Sequence, residues 1–121
     1  SDEEGRYWFR SVKPAGYPVP MHGPGGDLLR AQRRHPYRPA HIHFMVSAPG
    51  YKTLITQIFA DDDEQLENDV TISVVRSLIG HFERHDSGMA PAPDVTPPFC
   101  TLTYDMVIEP GESRLPAPPI R

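Results

Sequence analysis

One cysteine, Cys100, is all the thiol this 121-residue chain has. A lone cysteine cannot close an internal disulfide, so stability must come from packing or from a bound metal. Cys100 itself reads as a small buried hydrophobe in a strand. Excess positive charge is also missing. The formal net charge is −4, which gives no footprint for nucleic acid and speaks only to solubility. No apolar run approaches the roughly 18 residues that a membrane-crossing helix needs. The opening SDEEGRYWF lacks the basic and apolar regions of a secretory signal. A chain with these absences is expected in the cytoplasm, away from membranes and nucleic acids.

What is abundant is proline, with 15 residues. Proline breaks helix interiors and central strands. A single small domain with this content reads as mostly antiparallel β, with long proline-rich loops and only short helical turns. Several short strands point to a β-sandwich. Arg6 to Val12 is rich in strong β formers and reads as a strand. Ala40 to Ser47 and Thr53 to Phe59 read as two more, joined by a turn at Ala48–Tyr51 into a hairpin. MHGPGGD, Met21 to Asp27, is a turn by composition, and Leu28 to Arg34 has no clear assignment. Asp61 to Glu64 is a solvated acidic turn without the ligand spacing of a calcium loop. Leu66 to His85 reads as a helical turn or two leading into a strand. Phe99 to Glu109 alternates with period two, as a strand with one buried face does. The domain is expected to span residues 1–110, followed by a proline-rich arm over 111–121.

HPYRPAHIHF, from His35 to Phe44, carries the chemistry. On a strand, residues two apart share a face. His41 and His43 therefore project together, while Ile42 and Phe44 turn to the other side. Two imidazoles on a half-buried face need partners. A shared metal would meet that need; hydrogen bonds near a sheet edge would meet it too. Tyr17, in the stiff stretch GYPVP, could present a phenol to such a site, or simply pack on the surface. Phenolate is a hard ligand suited to ferric iron. His22, His35, His81 and His85 read as ordinary surface histidines.

Taken together, GYPVP, GPGG, RHPYRPAHIHF and TQIF resemble the intradiol ring-cleavage dioxygenases, hydroxyquinol 1,2-dioxygenases above all. The resemblance runs from about Gly5 to Pro110. It implies a β-sandwich with one non-haem Fe(3+) and the cleavage of catechol-like diols, hydroxyquinol first, between the hydroxyl-bearing carbons. Both atoms of O2 enter a cis,cis-muconate or maleylacetate type of product. It makes Tyr17, His41 and His43 the metal ligands. Tyr17, Arg38 and Gln57 become the catalytic groups, with Arg38 beside the bound ring and Gln57 orienting its neighbours. Pro18, Val19 and Pro20, again with Arg38, would line the substrate pocket. Family members pair as homodimers through a helical N-terminal region.

Three departures accompany the resemblance. The family's first tyrosine ligand has no counterpart among the 16 residues before Tyr17. Met21-His22 stands where relatives carry an acidic residue, and Tyr37 where they often carry Trp. The chain therefore reads as a piece of a longer protein with an incomplete site. Such a site would also accept zinc, nickel or copper and would turn over poorly. The alternative is a non-catalytic metal-binding module. A metal hydrolase would need a general base that the motif segments do not supply.

Overall fold

The computed structural model describes residues 1–115. Six of the residues expected to form the 111–121 arm, 116–121, lie outside the described part. The elements in chain order are β1 (Tyr17–Pro18), α1 (Gly23–Ala31), β2 (Tyr37–Arg38), β3 (His41–Val46), β4 (Leu54–Ala60), a 3-10 turn (Arg76–Leu78), β5 (Ile79–Gly80), β6 (Glu83–His85) and β7 (Phe99–Thr101). They form three small sheets, ordered β1-β2, β3-β4-β5 and β6-β7. All pairings are antiparallel except β4 with β5.

The hairpin of β3 and β4 is the frame. Its turn closes through the Tyr51 N–H on the Ala48 carbonyl at 3.1 Å. Gly50 takes φ +81° after Pro49, the arrangement a type II turn requires. β4 is the central strand. Ile58, Phe59 and Ala60 in its second half are fully buried, and Ala40 and Val70 complete the core. Three consecutive buried residues mean that both faces of β4 are covered there.

Several expectations change. Arg6–Val12 forms no strand. Tyr7 and Phe9 turn edge-on to the Phe44 ring at 6.5 and 5.8 Å, but no neighbouring backbone pairs with the segment. Trp8 stays 90% exposed. α1 starts inside the stretch read as a turn and covers much of the unassigned segment after it. Pro24 occupies its first turn, where a missing N–H costs nothing. Phe99–Glu109 keeps the expected alternation, with Leu102, Tyr104, Met106 and Ile108 turned inward and Thr103, Asp105, Val107 and Glu109 outward. Only Phe99–Thr101 has a paired strand.

The acidic turn is more than a solvated bend. Asp61 accepts the Phe82 N–H at 3.0 Å and bonds His81, and Asp62 bonds Lys13. Asp63 accepts the N–H groups of Ala40 and Gln65 at 2.9 and 2.8 Å. The Phe82 N–H and then His81 hold the Asp61 carboxyl below its usual range, and Asp61 raises the His81 imidazole in return. The turn thus ties the start of β3 to the end of β4.

Candidate functional site

β1 and β2 pair Tyr17 with Arg38, and β3 begins three residues later. Gly16 makes the approach of Tyr17 possible. A Cβ there would lie 2.9 Å from an Asp63 carboxylate oxygen and 3.1 Å from the Arg38 carbonyl. The β3-β4 register sets Gln57 opposite His43 and Phe59 opposite His41. Opposed residues share a face, so Gln57 belongs to the histidine face.

The rings converge as the strand period requires. His41 and His43 are 4.9 Å apart between centroids, at 80°. Tyr17 and His41 are 5.6 Å apart. His41 is half-buried and His43 and Tyr17 are exposed. His41 Nδ1 donates to the Pro39 carbonyl at 2.7 Å. A carbonyl only accepts, so the proton stands on Nδ1 and the lone pair on Nε2. Burial, and next the charge of Arg38, lower the His41 pKa against the opposing pull of the Pro39 carbonyl. A neutral imidazole with its other nitrogen anchored on a carbonyl is the usual state of a histidine ligand.

Among the described residues, no three His, Cys, Asp or Glu groups are disposed to hold a metal. A metal here would therefore depend on the Tyr17 phenol beside the two imidazoles. Two nitrogen donors and one hard oxygen suit ferric iron and also tolerate zinc or copper. The residues present fit such an ion.

Arg38 is buried, with 8% of its surface exposed. Its Nη1 donates to His41 Nε2 at 3.2 Å, and its Nη2 donates to Gln57 Oε1 at 3.1 Å and to Ser73 Oγ at 3.0 Å. Its Nε faces Asp69 Oδ1 at 3.3 Å. A guanidinium has five N–H groups. Four are engaged, and the second hydrogen on Nη1 finds no protein acceptor among the described residues.

Tyr17, Arg38, His41, His43 and Gln57 are thus gathered at one place. Pro18, Val19 and Pro20 follow Tyr17 directly in the chain. Pro18 pairs with Tyr37, and the Val19 N–H donates to the Pro36 carbonyl. No hydrogen bond among the described residues joins them to the cluster. His81 and His85 lie apart from the cluster and have separate partners. His81 bonds Asp61, whereas His85 stacks on Phe99 and bonds Thr101. Sequence reasoning missed Asp69 and Ser73. A buried Asp followed by hydroxyl residues two and four places on was the available signal.

Comparison with known proteins defines the class. A family profile described as "Dioxygenase" matches residues 1–110. The chain belongs to the intradiol ring-cleavage dioxygenases. It is 55% identical over 82 residues to the hydroxyquinol 1,2-dioxygenase of Rhizobium sp. (strain MTP-10005), an overlap of 68% of this chain and 28% of that one. It is 50% identical over 88 residues to the 6-chlorohydroxyquinol 1,2-dioxygenase of Cupriavidus pinatubonensis, covering 73% of this chain and 32% of the relative. Among solved structures, the catechol 1,2-dioxygenase of Pseudomonas arvilla C-1 superposes with a TM-score of 0.83 at 36% identity, over 93% of this chain and 37% of that one. The fold is the β-sandwich of these enzymes. The chain spans about a third of the length of the relatives it matches. No helix among the described residues is long and apolar enough to cross a membrane.

Proposed function

We propose that this chain carries the centre at which an intradiol dioxygenase opens a catechol-like diol with O2, with hydroxyquinol as the diol and Fe(3+) held by Tyr17, His41 and His43. The observation that carries the reading is the meeting of a phenol, two imidazoles and a buried guanidinium on one face of β3. It is supported by 55% identity to a hydroxyquinol 1,2-dioxygenase. Bound ferric iron would supply the Lewis acidity that ionises phenols at neutral pH.

The chain's own groups do the rest. With Pro39 holding Nδ1, the His41 Nε2 lone pair would turn from the Arg38 Nη1 hydrogen to the ion. The Tyr17 oxygen would accept a proton from a diol hydroxyl. Arg38 keeps a fixed positive charge beside His41, where negative charge on an ionised diol would gather. A preorganised charge of this kind costs no reorganisation during reaction. Gln57 takes one Arg38 hydrogen and fixes its direction. Pro18, Val19 and Pro20 form the stiff wall nearest Tyr17. The single unpaired cysteine suits a reducing cytoplasm.

One observation favours a second reading, a β-sandwich that keeps a metal as a staple without turnover. The donors brought together here number three: Tyr17, His41 and His43.

Metal content and a visible spectrum of the purified chain test the two readings. Near-stoichiometric iron, a phenolate-to-iron band that disappears in Tyr17→Phe, and ring cleavage of hydroxyquinol are expected. A colourless protein holding zinc would overturn the iron assignment. Iron with colour but without ring cleavage would favour the staple.

A further inference from the structure

Asp69 stands behind Arg38, away from the histidines in sequence and almost wholly buried. Its side chain is 2% exposed. It receives five hydrogen bonds. Thr71 Oγ1 and Ser73 Oγ each donate to Oδ2 at 2.6 Å, as does the Ser73 N–H at 3.1 Å. The Thr71 N–H and Arg38 Nε donate to Oδ1 at 3.2 and 3.3 Å.

Proton counting makes Ser73 the joint. Its single hydrogen goes to Asp69, so both lone pairs are left to accept. One takes an Arg38 Nη2 hydrogen and the other a Gln57 Nε2 hydrogen, both at 3.0 Å. Arg38 and Gln57 also bond each other at 3.1 Å. A Ser73 proton turned to Thr71 Oγ1, 2.8 Å away, would leave the same two lone pairs free, because Thr71 itself donates to Asp69; a proton turned toward Arg38 or Gln57 would cost one of these bonds. Asp69 therefore sets the Ser73 hydroxyl, and Ser73 sets both groups that face His41 and His43. No buried side-chain polar atom among the described residues lacks a partner.

The backbone gives an independent sign. Ile72, between Thr71 and Ser73, has φ +55° and is 81% exposed. A β-branched residue in the left-handed region is a steric outlier. Its side chain gains nothing by burial. The conformation is held by the bonds that bring Thr71 and Ser73 back onto Asp69 and by the Ile72 N–H on the Asp69 carbonyl at 2.9 Å. Such strain persists where the surroundings over-determine it, typically beside a working site.

We infer that Asp69 and Ser73 are positioning residues that lock Arg38 and Gln57 into one unit against the histidine face. The consequence for a diol rests on the function proposed above; the lock itself does not. Ser73→Ala is the primary variant, Ser73→Thr the conservative one, and Asp69→Asn the second test of the joint. Two readouts are used: the Arg38 Nε–H and Gln57 side-chain amide resonances of the chain, and visible titration of the iron-loaded chain with 4-nitrocatechol. In Ser73→Ala the two sets of resonances should shift together. Iron content should hold, and 4-nitrocatechol affinity should fall about tenfold, the loss of one charge-assisted bond. Ser73→Thr should restore both. Resonances that stay in place in a folded Ser73→Ala would overturn the lock. Resonances that move while affinity holds would overturn its role at the site. Should the wild-type chain take up iron but bind no diol, the proposed function fails, and the resonances alone decide for or against the lock.

Discussion

Two regions of this small chain make opposite use of good material. Arg6–Val12 holds a tyrosine, a tryptophan, a phenylalanine and a valine, yet it forms no strand and leaves Trp8 and Val12 86–90% exposed. The stretch from Asp69 to Ser73 holds one charge and two hydroxyls, yet every side-chain polar atom in it is hydrogen-bonded. The difference lies in partners. β propensity measures fit to a pleated, half-buried surface, and the rings of Arg6–Val12 meet only the Phe44 ring, with Tyr7 on the Tyr104 carbonyl and Arg10 on Asp94 as exposed polar ties. A groove of about 560 Å³, lined by Trp8, Phe44, Leu102 and Tyr104 among others, runs beneath it. It lies on the face of β3 opposite the histidines. Asp69, by contrast, has every partner supplied by β2 and its own turn.

The sharpest way to test this contrast is to remove a partner from the ordered region. Arg38→Met leaves the Asp69 carboxylate buried without its cation. Breaking a buried pair on one side is strongly destabilising, and a loss of about 3 kcal/mol is expected because Thr71 and Ser73 still donate. Trp8→Ala, in the other region, should change stability by less than about 0.5 kcal/mol. Urea unfolding followed by circular dichroism checks both. Comparable losses in the two variants would show that exposure in the described structure does not report the energetics of Arg6–Val12.

A middle-sized effect should come from the aromatic anchor of the weaker region. Phe44→Ala removes the ring that Tyr7 and Phe9 meet edge-on. With Phe44 only half-buried, the expected cost is about 2 kcal/mol, below that of a fully buried phenylalanine. Amide exchange should then accelerate across Arg6–Val12 and leave Asp69–Ser73 unchanged. Uniform acceleration in both segments would mean that the two regions unfold as one unit.

Legibility in the sequence followed the same division. The β3-β4 hairpin was readable because period-two alternation and a Pro-Gly turn are local signals. Tyr17, Arg38, His41, His43 and Gln57 were readable because they fall in motif segments, and the strand register then placed four of them on neighbouring positions. α1 was hidden because three glycines and a proline look like a turn, although Pro24 fits a first helical turn. Arg6–Val12 was misread because propensity is local and strand pairing is not. Asp69 and Ser73 were missed, because an aspartate followed by hydroxyl residues two and four places on does not by itself name a partner. Their meaning depends on a proton path through Ser73 that exists only once Arg38 and Gln57, 31 and 16 residues away in sequence, arrive beside them.

The smallest expected effect is a gain. Ile72 keeps its left-handed φ although its exposed side chain contributes no packing. For an L residue that conformation costs roughly 1–2 kcal/mol, and asparagine tolerates it far better. Ile72→Asn should therefore stabilise the chain by about 1 kcal/mol while the Asp69 bonds stay in place, which a higher urea midpoint with an unchanged slope would show. The contrast between the regions makes the sign informative. In Arg6–Val12 no strain is stored, so surface substitutions there should leave the midpoint where it is. A loss of stability in Ile72→Asn, with the Arg38 Nε–H resonance displaced, would mean that Ile72 is held by contacts of its own and that the turn is not strained by the hydroxyls reaching Asp69.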